Sequence, residues 1–463
     1  MNTLLWLQRD LRISDNLALN WALQQGKPII AIYIHSPQED APWAAGAASR
    51  WWLQESLKKL SVDLLKLNIK LQFFKDDSVS KISQLVKEYP IDSVVWTNRH
   101  EPKRIQCEEK IETELSNSGI FVKRCKDELL TQPDAFLTAS KHTPYKVFTP
   151  FYKKLRRELN LSDFYKTNNA HFKTSKLPAH LPENSLSLEQ LELVDDHSWH
   201  EKLHNYWSPG EQSAIDKLDS FIDEALVCYR MQRDIPAIDA TSGLSSHLHF
   251  GEISAQQIVT ALVPLIEIQG GKFGEAAEGF LRQLIWREFA RYILWHFPET
   301  CTDSMNEKFT TSFWKSDSKN LKKWQQGETG IPIIDAGMKQ LWETGTMHNR
   351  VRMLVASLLT KNMGIAWQQG ARWFWNTLVD ADLANNSMGW QWVAGCGVDA
   401  APYFRIFNPN TQAQKFDKQG TYVNKWLKST PSLLQKKPII DLSISRAKAL
   451  DRYKHIIRKF NSS

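Results

Sequence analysis

The feature that most constrains this chain is a change of hydrophobic period part-way along it. Up to about residue 130, short apolar runs rich in β-branched and aromatic residues alternate with helix-like segments. The runs are TLLWL (3–7), PIIAIYI (28–34), KLQFF (70–74) and SVVWT (93–97), and the intervening segments include 49–67 and 79–88. Strands alternating with helices predict a parallel α/β sheet. From about residue 211 the strand signal fades, and 211–229, 253–267, 275–296, 334–343, 348–363 and 367–379 carry 3.6-residue spacing. Between the two patterns, 160–210 is polar and weakly periodic, with Pro178, Pro182, Asn184 and Pro209, as in a connection between domains. The expected fold is an α/β N-terminal domain with a parallel, Rossmann-like sheet (1–130), an interdomain connection (131–210) and a mostly α-helical C-terminal domain (211–463).

Composition narrows the class. A chain of 463 residues with 42% hydrophobic and 24% charged residues builds globular units rather than disorder. The net charge of +7 is compatible with a polyanionic partner without requiring one. Five cysteines, Cys107, Cys125, Cys228, Cys301 and Cys396, lie far apart with no CxxC pair. Their odd number argues against a zinc or disulfide framework and for a reducing, cytoplasmic setting. Met1 leads straight into NTLLWLQRDLR, which lacks the features of a signal peptide. No run of about 18 apolar residues occurs, so no membrane span is expected.

Neither GxGxxG after the first strand nor GxxxxGK[ST] is present, so a conventional dinucleotide or P-loop site is not supported. Three other segments are richer in polar and aromatic groups than core helices need. In GFLRQLIWREFARYI (279–293), Gln283, Trp286 and Arg287 share a face, which suits a ligand or a solvated surface. In GTMHNRVRML (345–354), Asn349 and Met353 share a face, while Arg352 points elsewhere and needs an acidic partner if buried. In 378–409, Asp382, Asn386 and Trp390 stand at i, i+4 and i+8; each buried polar group there demands a partner, in a core or in a pocket. TSGLSS (241–246) reads either as a helix N-cap or as an anion site. The 19 tryptophans lie mostly from Trp286 onward, with packing as their default role.

Taken in order, WLQRDLRISDNLAL, YKVFTPF (145–151), TSGLSSHLHFGEIS (241–254), WREF (286–289), MHNRVRM (347–353) and DADLANNSMGWQWVAGCGVDAAPYFRIFNP (380–409) resemble the photolyase/cryptochrome family over about residues 2–427. The resemblance implies an antenna domain followed by a helical domain holding a U-shaped FAD. It places the FAD phosphates near Tyr229, Thr241, Ser242, Gly243, Leu244 and Ser245, and adds Phe280 and Arg287 to the cofactor's contacts, Phe280 standing where some relatives have Trp. Around the flavin ring it implies Arg352 paired with Asp380, then Ala381 and Asp382, and Asn386 facing N5. A buried flavin anion needs cations and hydrogen-bond donors around it.

The resemblance further makes Trp390, Trp367 and Trp314 an electron-transfer chain. It sets Trp286 and Trp392 against flipped bases, with Asn349 and Met353 in the same cavity and Arg233 and Arg350 on phosphates. The implied partner is UV-damaged DNA, and the implied reaction is light-driven splitting of cyclobutane pyrimidine dimers by a carbon–carbon lyase acting as a monomer. The alternatives are a (6-4) photolyase and a cryptochrome photoreceptor. MHN (347–349) resembles the dimer enzymes, but Gln283 stands where they generally have Glu, and Thr346 where Trp is frequent. An amide donates a hydrogen bond but no proton. A second, antenna chromophore is implied, either a folate such as methenyltetrahydrofolate or a deazaflavin. The Asn-Glu pair of some folate-binding relatives is replaced by Lys103 and Arg104.

Overall fold

The computed structural model describes the chain except residues 127–128, 162–163, 165–173, 195–197, 310–312 and 462–463. The first unit contains β1 (Asn2–Leu7), α1 (Leu17–Gln24), β2 (Ile29–His35), α2 (Ala47–Leu65), β3 (Leu71–Lys75), α3 (Ser78–Glu88), β4 (Ile91–Thr97), α4 (Pro102–Asn117) and β5 (Phe121–Cys125). The strands form one parallel sheet in the order β3-β2-β1-β4-β5. β1 is buried along its whole length, as expected of a strand covered on both faces. β5 went unread in the sequence because Phe121 is exposed and Lys123 and Arg124 break its apolar run.

The order reverses between β1 and β4, the place where such sheets bind ligands. Side chains there are tied together. Thr97 Oγ1 donates to Asp10 Oδ2 at 2.8 Å, and Gln8 Nε2 donates to Glu108 Oε1 at 3.0 Å.

Within the expected connection, α5 (Phe148–Glu158) is a helix whose Phe148, Phe151 and Leu155 join the core of the helical unit. Leu191, Leu193 and Leu203 instead join the core under the sheet, and Leu186 N donates to Phe73 O at 2.9 Å. The stretch therefore packs on both units; parts of it lie outside the described residues.

The second unit is helical: α6 (Glu211–Ser220), α7 (Tyr229–Gln232), α8 (Ser245–Phe250), α9 (Ala255–Pro264), α10 (Gly271–His296), α11 (Ser318–Gln325), α12 (Pro332–Thr344), α13 (Asn349–Ser357), α14 (Trp367–Thr377), α15 (Leu383–Ala394), α16 (Pro409–Phe416), α17 (Thr421–Leu427) and α18 (Leu442–Asn461). The expected helix 348–363 is real, but its last turn, Leu358–Met363, is wound wider.

The two units meet at a buried polar knot. Glu252 Oε1 accepts from Trp52 Nε1 at 3.1 Å and from Gly210 N at 2.8 Å, while its Oε2 lies 2.5 Å from His247 Nδ1. Gly251, at φ +66°, lets the α8 terminus reach Arg9: a Cβ there would stand 2.0 Å from Arg9 O.

Candidate functional site

The site is built where α8, α10, α13 and α15 converge. Arg352 on α13 donates through Nη2 to both carboxylate oxygens of Asp380 and through Nε to Met347 O at 2.7 Å. The partner that burial of Arg352 demands is thus supplied from 28 residues away. Asp380 also accepts from Ser245 Oγ at 2.7 Å. Ser245 therefore does not cap α8: Leu244 occupies the N-cap with no side-chain bond. Thr241 and Ser245 are exposed, Ser242 is half-buried, and Gly243 turns through the left-handed region at φ +62°.

Lys217 of α6, which the sequence reading missed, reaches over this loop. Its Nζ lies 3.3 Å from where a Cβ on Gly243 would stand. Hydroxyls, a side-chain-free cradle and a cation suit a pyrophosphate. Tyr229 meets Phe280 edge-on, with ring centres 5.5 Å apart. Arg287 turns inward and donates to Leu248 O at 3.3 Å.

Asp382 caps α15 by accepting from Asn385 N at 2.9 Å, so it begins the stripe from the N-cap rather than from within the helix. Arg291 Nη2 donates to it at 3.3 Å and His249 Nδ1 lies 3.7 Å away. Burial opposes its charge, yet Arg291 and His249 hold its carboxyl well below the usual range. Burial likewise pushes His249 down to about 4, so the ring is neutral. Asn386 is buried and donates to Ala371 O at 3.1 Å, and Ala381 is buried beside Asp382.

Trp390 is wedged against Phe374, with ring centres 5.0 Å apart, and against Gly370. Trp367 is fully buried and donates to Ser304 Oγ at 3.0 Å, while Trp314 is half-buried against Phe313. Trp390 and Trp367 belong to one hydrophobic cluster and Trp314 packs against it, and no ring contact among the described residues joins the three directly.

Next to this site opens a cavity of about 710 Å³. Of the residues expected on the DNA side, Arg350, Met353 and Trp392 line it. Arg350 is bound to Asp234 at 2.8 Å and lies over the Phe416 ring. Arg405, Phe407, Lys415 and Phe416 also line the cavity and went unread, although cations interleaved with aromatics were a usable signal. Four expected residues stand outside that lining. Gln283 donates within its own helix to Gly279 O at 3.4 Å, Trp286 lies flat on Phe148 at 3.5 Å, Asn349 is exposed, and Arg233 covers the Tyr229 ring.

At the sheet end, Arg104 is engaged by Asp40 at 2.7 Å and Glu39 at 2.6 Å.

Residues 3–174 match the DNA photolyase domain, and residues 280–438 match the FAD-binding domain of DNA photolyase. Fold and site thus define a two-domain protein with a parallel α/β unit and a helical, flavin-binding unit. The chain belongs to the photolyase/cryptochrome family. It is 40% identical to the deoxyribodipyrimidine photo-lyase of Agrobacterium fabrum over 434 residues, 94% of this chain and 88% of that one. It is 32% identical to cryptochrome-2 of Arabidopsis thaliana, covering 92% of this chain and 70% of the other. Its fold superposes on a bacterial class III photolyase from Agrobacterium tumefaciens with a TM-score of 0.89 at 36% identity, covering 99% and 98% of the chains. An archaeal photolyase from Sulfolobus tokodaii, solved with two FAD molecules, superposes with a TM-score of 0.81 at 27% identity, covering 98% and 100%. The enzyme class that goes with this kinship is the lyases. No helix among the described residues is long and apolar enough to cross a membrane.

Proposed function

We propose that this protein binds FAD in the helical domain and uses light to split cyclobutane pyrimidine dimers in DNA. The observation that carries the reading is the division of α13. Arg352 turns to Asp380 and the flavin-side cluster, while Arg350 and Met353 turn to the adjoining cavity. A dinucleotide extruded from a duplex needs a concave, aromatic-walled pocket rimmed by cations. Trp392, Phe407, Arg405 and Lys415 meet that need.

The cofactor's phosphates would be held by Thr241–Ser245 with Lys217, and its ring flanked by Arg352, Asp382 and Asn386. When bound and reduced, FAD supplies on excitation the electron that opens the dimer ring and then returns. The protein's own work is to hold the flavin's charge, exclude water and orient the lesion. Trp390, Trp367 and Trp314 are the proposed route for recharging the flavin. Trp286 and Gln283 on α10, with Asn349 and Arg233, stand outside the cavity's lining and are proposed to meet the DNA beside it, with Arg350 at the cavity itself.

The dimer is favoured over the (6-4) product by MHN at 347–349. The cryptochrome reading has one observation in its favour, the 32% identity to cryptochrome-2. We also read residues 1–130 as the unit for a second chromophore, folate or deazaflavin, residues 131–210 as the connection, 211–463 as the repair unit, and the working form as a cytoplasmic monomer. Illuminating the reduced, FAD-loaded protein with defined lesions tests the activity.

A further inference from the structure

The basic excess of this chain is concentrated at one end. Residues 411–463 hold twelve Lys and Arg against three Asp, a local charge of +9. The preceding 410 residues hold 46 Lys and Arg against 48 Asp and Glu, a charge of −2. The asymmetry is therefore larger than the net +7 shows. All of α18 lies beyond residue 438, where the match to the FAD-binding domain ends.

One of the three acids does not offset this charge at the surface: Asp417 is buried and accepts from Tyr422 N and Val423 N, whereas Asp451 is exposed on α18, 3.6 Å from His455. Arg446, Lys448 and Lys454 are exposed on α18 with no carboxylate partner among the described residues. Lys425, Lys428 and Lys437 are exposed on the segment leading to it.

The helix is braced directly behind the cavity wall. Arg452 Nη2 donates to Tyr403 OH at 3.2 Å and to Lys361 O at 3.0 Å. Tyr453 stacks on Tyr403 with ring centres 4.6 Å apart. Lys361 Nζ in turn donates to Arg405 O at 2.8 Å, and Arg405 lines the cavity. Lys415, at the start of the basic segment, lines it too. A chain of hydrogen bonds thus links the cavity-lining Arg405 to a helix whose inward side is fixed by Arg452, Tyr453 and Ser445, the last of which accepts from Asn362 Nδ2 at 2.9 Å.

We propose that the outer face of α18 is a track for duplex DNA, holding backbone phosphates that flank the lesion rather than the lesion itself. This rests on the reading of DNA as the partner. Such contacts are independent of sequence and of damage, and they release counterions. They therefore act on affinity for long duplexes and on its salt dependence, and leave discrimination of the lesion to the cavity.

The test compares the FAD-loaded protein with the triple variant Arg446→Gln/Lys448→Gln/Lys454→Gln. The probes are an undamaged duplex of about 30 bp, the same duplex with one pyrimidine dimer, and a dimer-containing single strand of about six nucleotides. Each lost phosphate contact lowers the slope of log K on log salt by about 0.9, so loss of two or more weakens both duplexes at least about tenfold near 0.1 M salt. Binding of the six-mer stays as in the parent. An unchanged slope and affinity on the duplexes overturns the track and leaves α18 a solvated face. Equal weakening of the six-mer overturns it as well, because the cavity is then what was disturbed. Reduced binding to phosphatidylserine vesicles with an unchanged duplex slope also rejects it. If the parent protein itself shows no preference for the damaged duplex, the repair reading fails, and the slope on the undamaged duplex still decides the track.

Discussion

Arg352 grips Asp380 with one nitrogen shared between both carboxylate oxygens, at 3.1 and 3.0 Å. Asp380 is nearly buried at 7% side-chain exposure, while Arg352 keeps 26%. Asp380→Asn keeps the shape and removes the charge that holds Arg352. Breaking a buried pair costs about 3–5 kcal/mol, and solvent at the arginine lowers this to about 1–3 kcal/mol. The expected outcome is a lower melting temperature and purified protein depleted of flavin absorbance. Full flavin content in the variant would separate this pair from the cofactor.

The proposed electron route turns on Trp390. Trp390→Phe is expected to keep FAD and lose photoreduction, read as flavin bleaching under blue light with an external donor. Gly370→Ala tests the same ring from the packing side. A Cβ there would stand 2.1 Å from Trp390 Cη2 and 2.7 Å from Leu359 Cδ2. Overpacking of this kind costs about 1–3 kcal/mol, so both stability and photoreduction should fall. Normal photoreduction in Trp390→Phe would remove Trp390 from the route.

Gln283→Glu puts a carboxylic acid where an amide now stands. Because an acid can donate a proton as well as a hydrogen bond, dimer repair is expected to hold or rise. Loss of repair at unchanged DNA affinity would mean that α10 meets the lesion differently.

Acid should weaken the fold earlier than the carboxylates alone would dictate. Burial pushes His35, His249 and His348 each down to about 4 in the folded chain, from an ordinary value of 6.5. The unfolded chain therefore takes up protons first. The histidines' share of the stability is full above about pH 6.5 and falls toward pH 4, by at most about 1.4 kcal/mol per pH unit for each, while Glu108, pushed up by burial to about 7, offsets part of it. Asp382, held far down by Arg291 and His249, adds its loss only at still lower pH. Melting temperatures across pH 4–8 check this, with a shallower slope expected for His249→Gln; a flat profile would contradict the neutral, buried state of these rings.

The fold was legible where burial imposes a period. β1 to β4 carry apolar runs and announce themselves, whereas β5 does not, since Phe121 is exposed and Lys123 and Arg124 interrupt its run. The site was legible only in part. That Arg352 needed an acid followed from charge burial alone, but Ser245 reaching Asp380 across 135 residues leaves no local trace. Lys217 is likewise an ordinary helix lysine until the chain folds it over Gly243. Trp286 looked like an open aromatic face beside Gln283 and Arg287; in the structure Phe148 of α5, from a stretch read as connection, covers one side of it. Arg405 and Lys415 sit in segments without strong periodicity, and only the cavity joins them to Arg350.

Repair itself is the direct test of the central claim. The FAD-loaded, reduced protein is given oligonucleotides carrying either a single cyclobutane dimer or a single (6-4) product, and intact pyrimidines are counted after blue light and after darkness. Restoration of the cyclobutane substrate in the light, with none in darkness and none of the (6-4) product, is the predicted result. Flavin photochemistry without restoration of either lesion would contradict it and assign the chain to the photoreceptors of its family.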